Sequence, residues 1–288
     1  MRVTPSVKRV YSLDKPEDDF SVPFVCDSPH SGTDFPESFD YRCDKDDLMR
    51  YADLFVDELY AHVPSQGGTL LSALFPRTFI DVNRSRDDID LKLLDGIWEG
   101  PIDKKGRADV GHGVIYRRGH DGSDIYGMRL PPATIKQRLE DYYDPYHGAL
   151  NTRLEELVTR FGQVWHINCH SMPSKQSFQN LPDFVIGDRN GTSCEQGFTH
   201  FITHFLMKRG YRVGINNPYK GAEILKKYGR PQVGFHSLQL EINRALYMDE
   251  KKLVKKPAAF EKLRQDLQDL TGEVIAEIKS YDLAQAAD

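Results

Sequence analysis

The segment that decides the fold reads Val22-Pro-Phe-Val-Cys-Asp-Ser-Pro-His-Ser-Gly32. Its apolar first half is typical of a buried β-strand that stops at Asp27. The residues that follow, among them Pro29 and Gly32, predict a tight turn that exposes the imidazole of His30. We therefore expect His30 to lie at the carboxyl end of a central strand.

A second segment repeats this arrangement much further along the chain. It reads Val164-Trp-His-Ile-Asn-Cys-His-Ser-Met-Pro173, an apolar strand followed by His170 and a turn that ends with proline. In open α/β sheets, ligands bind at the carboxyl ends of the strands. Two strands that both lead to a histidine therefore predict one shared site, in which neutral imidazoles bind a metal such as zinc. The competing interpretation is that each histidine only stabilises its own turn by hydrogen bonding.

The composition restricts the class of protein. The chain has 288 residues, 39% of them hydrophobic and 28% charged, which suffices for a substantial core in a single domain, 1–288. A net charge of -5 without a basic stripe argues against nucleic-acid binding. No apolar run approaches the roughly 18 residues of a membrane helix, and no signal peptide is evident, so we expect a cytoplasmic enzyme without a membrane partner. Four cysteines without CxxC spacing, two of them in strand patterns, predict free thiols in a reducing compartment.

Strands alternate with helices along the chain, which predicts an α/β fold with three layers and a mixed or mostly parallel sheet. An apolar stripe in residues 44–60, with Asp44 as the N-cap, predicts the first helix. Residues 1–20 are interpreted as an extended lead-in, and residues 131–161 as a long helix that Pro145 kinks or splits. Further strands are predicted at 69–74, 78–82, within 111–117, and at 183–187, 211–215 and 234–244, and further helices at 193–208 and 257–280.

The region 85–130 is the least regular part of the chain and carries two runs of charged residues. A long connection of this kind inside a compact domain is often a lid or a binding loop at an active site. We therefore expect residues 85–130 to contribute to substrate specificity.

The third metal ligand is expected to be a carboxylate or another histidine. Asp53 and Asp57 are four residues apart and share one face of the predicted helix. Asp53 lies among apolar neighbours, so the pattern favours it without excluding Asp57. His200 and His204 also have helical i, i+4 spacing, but Phe201 stands where a metalloprotease has its glutamate, and we interpret them as a helix face.

A carboxylate also lies inside the strand pattern at 237–244. Strand alternation places Gln239 and Glu241 together on the face opposite the leucines. A glutamate in a central strand needs a partner or a chemical task. The structural alternative is an ion pair with Arg244 or Arg84, and the functional alternative is a general base that accepts a proton from a metal-bound water.

Asn83 and Arg84 follow the apolar run at 78–82, as the two histidines follow theirs. A guanidinium at this position suits bidentate binding of a carboxylate. The alternative is a structural ion pair of Arg84 with Asp81 or Asp87.

No covalent nucleophile stands out in the sequence. A GxSxG elbow is absent, and Cys169 lies within a strand pattern, so a covalent triad is not expected. His147, on the predicted long helix, is either a packed histidine or a site residue, and the pattern favours packing.

In their order along the chain, these residues resemble the N-formylglutamate amidohydrolase (N-formylglutamate deformylase) family over residues 22–250. The resemblance implies a three-layer α/β/α fold with a mixed central sheet, similar to the zinc carboxypeptidases and aspartoacylases and thus of the phosphorylase/hydrolase-like type. The matching motifs are Ser28-Pro-His-Ser-Gly32, Asp53 with Leu59-Tyr60, Arg77-Thr-Phe-Ile-Asp-Val-Asn-Arg84, Pro145-Tyr-His147, Cys169-His-Ser171, Leu181-Pro-Asp-Phe184, Asn190-Gly-Thr-Ser-Cys194, Tyr228-Gly229 and Leu238-Gln-Leu-Glu241.

The resemblance also implies a zinc site. In relatives of this fold a glutamate follows the first histidine by three residues, whereas this chain has Thr33 at that position. The family pattern supplies Asp53 instead, and Asp34 and Asp57 remain as alternatives. The implied residues are His30, Asp53 and His170 for the metal, Asn83, Arg84, Arg244 and His147 for the substrate, and Glu241 for base catalysis.

The resulting hypothesis is zinc-dependent hydrolysis of N-formyl-L-glutamate to formate and L-glutamate, a reaction of histidine degradation. A zinc-activated water attacks the formyl carbon, and Glu241 carries its proton to the departing amine. Two alternatives stay open: a related metallohydrolase for another N-acyl amino acid or small amide, and a non-catalytic binding protein on the same fold. The expected partner is a small N-acyl acidic amino acid. The sequence leaves the oligomeric state open, a homo-oligomer included.

Overall fold

The computed structural model describes residues 9–176 and 178–285, with side chains described up to residue 280. The predicted lead-in at 1–20 thus lies partly outside the described residues, and its described part contains a short strand. In chain order, the strands are β1 (Tyr11–Asp14), β2 (Phe24–Ser28), β3 (Thr69–Ala73), β4 (Val164–Met172), β5 (Lys175–Gln176), β6 (Gln179–Asn180), β7 (Phe184–Gly187), β8 (Val213–Ile215), β9 (Phe235–Asn243), β10 (Met248–Asp249) and β11 (Val254–Lys255).

Seven of these strands form the central sheet, in the order β1-β3-β2-β4-β9-β7-β8. Strands β3, β2, β4 and β9 are mutually parallel, whereas β1, β7 and β8 run in the opposite direction. β4 and β9 lie at the centre and pair along their whole length, from Val164 opposite Phe235 to Met172 opposite Asn243. The predicted mixed sheet is confirmed.

Helices cover both sides of this sheet, so the predicted three-layer arrangement is confirmed. One layer packs α2, α5 and α7 against one side, and the other packs α3, α4 and α6 against the opposite side. None of the helices in the described part of the chain has the length and apolar character to cross a membrane. The helices are α1 (Lys45–Met49), α2 (Val56–Leu59), α3 (Pro132–Arg138), α4 (Asp144–Phe161), α5 (Gln196–Lys208), α6 (Glu223–Tyr228) and α7 (Pro257–Gln285).

The two sides of the central strands differ in chemistry because side chains alternate along a strand. The side toward α5 and α7, which we call the apolar face, is formed in these strands by Cys26, Ile167, Cys169, Leu238 and Leu240. The side toward α4, which we call the polar face, carries the buried residues Asp27, His166, Asn168, Ser237 and Gln239.

The helix predicted over residues 44–60 is wrong in its middle, because α1 and α2 are separate short helices. Asp44 caps α1 as predicted, since its carboxylate accepts a hydrogen bond from the Asp46 amide at 3.0 Å. The chain then leaves the helix, and Phe55 adopts a left-handed conformation with φ of 67°. Ser31 stabilises this break, because its hydroxyl donates to the Asp53 carbonyl and accepts from the Asp57 amide.

Two predicted strands, 78–82 and the one within 111–117, are also wrong. Phe79, Ile80 and Val82 are fully buried, but they lie in loops, and residues 112 and 116 form only an isolated bridge. The two loops contact each other through a hydrogen bond from the Asp81 amide to the Val114 carbonyl. Apolar residues that are buried without a neighbouring strand give the same sequence pattern as a strand.

The long helix predicted at 131–161 is present, but one π-helical turn, Leu139–Tyr143, interrupts it between α3 and α4. The interruption lies directly before Pro145, which has no amide hydrogen to donate to the preceding turn. The expected disturbance at Pro145 is therefore this local π turn.

Candidate functional site

A cavity of about 290 Å³ lies at the carboxyl ends of β2, β4 and β9. All the predicted site residues line it except His147. The lining residues are His30, Arg50, Tyr51, Asp53, Arg77, Asn83, Arg84, His120, His170, Ser171, Pro173, Tyr219, Ala222, Gln239, Glu241 and Arg244.

Three buried side chains converge at one point of this cavity. His30 comes from the turn after β2, His170 from the end of β4, and Asp53 from the break between α1 and α2. The Asp53 Oδ2 atom lies 2.8 Å from His170 Nδ1 and 3.4 Å from His30 Nδ1. One ligand atom of each residue lies within 4.8 Å of the others, so the three could hold one metal ion.

The other ring nitrogen of His30 is held by a carboxylate. His30 Nε2 lies 2.7 Å from Asp81 Oδ1. Asp81 in turn accepts hydrogen bonds from the Arg77 guanidinium, the Tyr116 hydroxyl and the backbone amide of Asn83. Burial alone raises the pKa of Asp81, but the charges of Arg77 and His30 hold it well below its ordinary value. An ionised Asp81 therefore accepts a hydrogen bond from Nε2–H and leaves the Nδ1 lone pair of His30 directed at the cavity.

The other ring nitrogen of His170 is held by a neutral amide. His170 Nε2 lies 2.7 Å from Asn168 Oδ1, and the amide nitrogen of Asn168 donates to the Asp27 carboxylate at 2.8 Å. The Asn168 oxygen therefore faces His170 Nε2 and accepts a hydrogen bond from it when that nitrogen carries the proton. In that form of the ring, His170 Nδ1 presents a lone pair on the side of Asp53 Oδ2.

The three residues fit a divalent cation. At 2.8 Å, His170 Nδ1 and Asp53 Oδ2 need a positive centre between them, which is a proton in the metal-free protein and can be a cation in the loaded one. His30 Nδ1 is buried and has no hydrogen-bond partner. The observed separations of 2.8 and 3.4 Å bracket the spacing of about 3.3 Å between ligand atoms of a tetrahedral zinc site. Two imidazoles and one carboxylate are also a ligand set typical of catalytic zinc.

Thr33 stands where relatives of this fold have a glutamate, and in this structure the carboxylate beside the two histidines comes from Asp53 instead. Thr33 and Asp34 are exposed and lie outside the metal-ligand group, and so does Asp57. The interruption of the helix after α1 brings Asp53 next to His30. The backbone amide of Asp53 donates a hydrogen bond to the His30 carbonyl at 3.0 Å. The carboxylate thus comes from the segment that follows the turn.

Two further donors hold Asp53. Its Oδ1 atom accepts hydrogen bonds from Ser171 Oγ at 3.2 Å and from Arg244 Nη2 at 3.0 Å. Burial alone raises the pKa of Asp53, but hydrogen bonds and charge from His170 and His30 lower it well below its ordinary value. The guanidinium of Arg244, which also lines the cavity, therefore forms an ion pair with Asp53, and its predicted contact with a substrate stays a prediction.

Glu241 lies beside the three converging residues. It is the partner of His170 in the pairing of β9 with β4, and it is buried. Its carboxylate accepts a hydrogen bond from Gln239 at 2.8 Å, and within the described residues no arginine forms an ion pair with it. Burial raises the pKa of Glu241 above its ordinary value. The structural alternative, an ion pair of Glu241 with Arg244 or Arg84, is thus not formed among the described residues.

Asn83 and Arg84 differ in whether their side chains already have partners. The Asn83 amide is already used, since its oxygen accepts from the Ile224 amide and its nitrogen lies 3.0 Å from His170 Nε2. Arg84 donates only to the His112 and Asn83 carbonyls, and in the described part of the chain it forms no ion pair with a carboxylate. The structural alternative, an ion pair with Asp81 or Asp87, is not formed. Arg84 thus lines the cavity with a guanidinium that has no carboxylate partner among the described residues.

His147 lies outside the cavity lining. Its ring nitrogens are 2.8 Å from the Tyr228 hydroxyl and 2.8 Å from the Val82 carbonyl. These contacts favour the packing role over the substrate-binding role. His200 and His204 are exposed on α5 and do not line the cavity either.

Sequence reasoning missed three residues that the structure brings to the site. Asp81 was expected only as an ion-pair partner of Arg84, and no role was predicted for Asn168 or Tyr219. A signal existed for Asp81, because an aspartate inside the apolar run 78–82 needs a buried partner. Asn168 has the same signal, since strand alternation places it on one side with His170.

This chain matches the family model of N-formylglutamate amidohydrolase over residues 22–248. It is 40% identical to the N-formylglutamate amidohydrolase of Ralstonia eutropha JMP134, whose crystal structure matches with a TM-score of 0.90 over 94% of this chain and 99% of that one. It is 26% identical over 266 residues to the N-formylglutamate deformylase of Pseudomonas aeruginosa, in a match that covers 89% of this chain and 91% of the relative.

A more distant protein shares the fold. The structure of a gene product of Agrobacterium tumefaciens matches with a TM-score of 0.63 at 16% identity, over 96% of this chain and 98% of that one. The match of the family model to most of the chain and the identity with the Ralstonia eutropha protein lead to the same assignment. The chain belongs to the N-formylglutamate amidohydrolase family.

Proposed function

We propose that this chain is a metal-dependent hydrolase that converts N-formyl-L-glutamate to formate and L-glutamate. Family membership and the names of the relatives support the reaction. The observation that carries the metal dependence is the convergence of three lone pairs, on His30, His170 and Asp53, next to the buried carboxylate of Glu241.

His30, Asp53 and His170 would hold the cation, which we propose to be zinc. When bound, zinc supplies Lewis-acid chemistry, because it polarises a carbonyl group and lowers the pKa of a water molecule to about 7. The protein's own contribution is the preorganisation of the ligands. Asp81 and Asn168 fix the two imidazoles, and Arg244 fixes the carboxylate, so that the lone pairs point to one centre before the cation arrives.

Glu241 acts as the general base. Its raised pKa makes it a better proton acceptor than an exposed glutamate, and its single hydrogen bond from Gln239 leaves the rest of the carboxylate free. It takes the proton of the attacking water and delivers it to the amine nitrogen as the amide bond breaks. Glu241 thereby returns to its carboxylate form at the end of each cycle.

Arg84 binds a substrate carboxylate. Arg77 and Arg244 form ion pairs with Asp81 and Asp53, whereas Arg84 has no carboxylate partner in the described part of the chain. A guanidinium without a carboxylate partner is suited to bind the carboxylate of an acidic amino acid. A cavity of about 290 Å³ suits a small molecule of that kind.

Tyr219 supplies a neutral hydrogen-bond donor to the cavity. Burial raises the pKa of Tyr219 to about 12, so its hydroxyl stays protonated at neutral pH. We assign it to the oxygen of the formyl group, where negative charge develops during attack.

The experiment that tests this function measures formate release from N-formyl-L-glutamate by the purified protein, with and without a chelator. We expect release that the chelator abolishes and added zinc restores. N-acetyl- and N-formimidoyl-L-glutamate, tested alongside, decide whether the formyl group is selected. Formate release that persists after complete removal of metal, or no release under any condition, would contradict the proposal.

Asp53 and Asp57 offer a matched pair for the metal assignment. Asp53→Asn removes a ligand charge, and we expect loss of bound metal and of formate release. Asp57→Asn, four residues away and outside the ligand group, should keep both. Metal content by mass spectrometry is the measurement, and retention of metal by Asp53→Asn would overturn the assignment.

A further inference from the structure

The polar face of the sheet contains a chain of hydrogen bonds that the proposed reaction does not use directly. It begins at Ser237, whose Oγ lies 2.5 Å from His166 Nδ1, and continues from His166 Nε2 to Asp27 Oδ1 at 2.8 Å. This is the order of a Ser-His-Asp triad, but Ser237 is only 2% exposed. No substrate can reach its hydroxyl, so the arrangement is not nucleophilic and another role must be sought.

Asp27 is the centre of this chain. It is fully buried and accepts three hydrogen bonds, from His166 and Asn168 on Oδ1 and from the Tyr146 hydroxyl on Oδ2. Burial alone raises the pKa of Asp27, but these hydrogen bonds, that of His166 first, lower it below its ordinary value. Asp27 is therefore an anion with acceptor atoms only.

The anion determines how Asn168 is oriented. In the observed orientation the amide nitrogen donates to Asp27 and the oxygen lies 2.7 Å from His170 Nε2. The flipped orientation would set the amide oxygen 2.8 Å from a buried carboxylate oxygen, two acceptors in contact. Asp27 thus excludes the flip, although it does not line the cavity.

Asn83 completes the arrangement. Its oxygen accepts from the backbone amide of Ile224, so its amide nitrogen faces Asn168 Oδ1 at 3.4 Å and His170 Nε2 at 3.0 Å. A lone pair on Nε2 would contact the Asn168 oxygen at 2.7 Å, which is repulsive, whereas a proton there makes a short hydrogen bond. Nε2 thus faces a fixed acceptor at 2.7 Å and a fixed donor at 3.0 Å. The nearer contact, with Asn168 Oδ1, favours a proton on Nε2, and the Asn83 nitrogen can then donate to Asn168 Oδ1 at 3.4 Å.

We propose that Asp27 and Asn168 are positioning residues that hold the proton of His170 on Nε2 and keep its Nδ1 lone pair directed at the cation site. The proposal rests on the proposed function only in that it takes this site to bind a cation. Asp27 acts two contacts away from the ligand nitrogen, through the orientation of Asn168. Asp81 performs the corresponding task for His30 by direct contact.

The first test observes the hydrogen-bond network in the wild-type protein and uses a variant only to assign a signal. Nitrogen NMR of the metal-free wild-type protein with labelled histidine distinguishes protonated from unprotonated ring nitrogens, and His170→Gln assigns the signal. We expect Nε2 of His170 to carry a proton in the metal-free protein. An unprotonated Nε2 would overturn the proposal whether or not the protein proves to be a formylglutamate hydrolase.

The second test exchanges the two residues. Asn168→Asp alone brings two buried carboxylates together, and Asn168→Leu removes the acceptor, so both should weaken zinc binding by about 10- to 100-fold. In the Asp27→Asn/Asn168→Asp double variant the new amide at position 27 donates to the new carboxylate at position 168, which accepts from His170. We expect this exchange to restore most of the affinity that Asn168→Asp loses, a non-additivity typical of direct coupling.

Tyr146→Phe is the matched control. It removes one of the three donors to Asp27 but leaves the Asn168 contact on the other oxygen. It should lower the stability of the protein without changing the zinc affinity, which is measured by chelator competition on the folded protein. Equal losses of affinity in Tyr146→Phe and Asn168→Leu, or no rescue in the double variant, would show a merely structural role. Wild-type protein that binds no zinc would reject the cation site, and the NMR result would still decide the protonation.

Discussion

Along β4, Ile167 and Cys169 point to the apolar face, whereas His166, Asn168 and His170 point the other way. The same alternation continues on β9, where Leu238 and Leu240 face one side and Gln239 and Glu241 the other. Burial is nearly complete on both sides. One face therefore stabilises the fold by removing apolar surface from water, while the other requires a hydrogen-bond partner for each buried polar group.

Two faces that are buried to the same degree can therefore differ in function. A substitution on the apolar face should change stability and leave the chemistry intact, and a substitution on the polar face should change the chemistry first. The following variants test this separation, in order of decreasing expected effect.

Glu241→Gln should produce the largest loss. The amide cannot accept the proton of the attacking water, so we expect kcat for formate release to fall by about 10²- to 10⁴-fold with zinc still bound. Steady-state kinetics together with metal analysis are the measurement. Near-normal turnover by the zinc-loaded variant would remove Glu241 from the role of base.

Leu240→Ala tests the neighbouring position on the opposite face. Leu240 is fully buried, and truncation should lower the free energy of unfolding by about 2–5 kcal/mol. Because its side chain points away from the cavity, kcat and KM at a temperature where the variant is folded should match the wild type. Urea denaturation and kinetics on the same sample check both halves, and a large kinetic defect would break the separation of the faces.

Arg84→Met should raise KM for N-formyl-L-glutamate more than it lowers kcat. A charge-assisted hydrogen bond contributes about 1.5–3 kcal/mol, which corresponds to roughly a 10- to 100-fold increase in KM. Arg86→Met is the matched control, because Arg86 is exposed and pairs with Asp144 rather than lining the cavity. Similar KM values for the two variants would contradict the assignment of Arg84.

The smallest effect concerns His147, which packs beneath the site on α4. Burial lowers the pKa of His147 to about 3, whereas an unfolded histidine has a pKa of about 6.5. The unfolded state therefore binds more protons between these values, and stability falls as the pH falls below 6.5. From pH 7 to pH 5 this contribution is about 2 kcal/mol, and it should be absent in His147→Gln. Urea denaturation of both proteins at the two pH values measures it, and equal pH dependence would refute the prediction.

The sequence predicted the sheet well because its central strands are short apolar runs with regular alternation. It failed at residues 44–60, where the apolar stripe has a helical period, because the Ser31 hydroxyl donates to the Asp53 carbonyl and accepts from the Asp57 amide and so stabilises a break in the helix. It also failed at 78–82, whose residues are buried without a partner strand. In both cases contacts with distant parts of the chain override the local pattern.

The candidate site divides in the same way. His30, His170 and Glu241 were predictable from strand ends and alternation. The choice of Asp53 required the family pattern. The interruption between α1 and α2 directs its carboxylate to the histidines, and the apolar periodicity of residues 44–60 does not predict that interruption. The roles of Asp81 and Asn168 depend on which atoms face each other across the sheet, and spacing along the chain does not contain that information.

The partners of Asp53 have a consequence for the order in which the protein is assembled. Its carboxylate contacts His170, Ser171 and Arg244, which lie 117, 118 and 191 residues further along the chain. On the ribosome, this aspartate is made long before the residues that offset its charge, and loops of that length close late. A nascent chain that ends before Arg244 therefore carries the proposed metal ligand without its support. If the site binds a cation as proposed, this ability should emerge only after most of the chain has been synthesised, and it would then report completed folding.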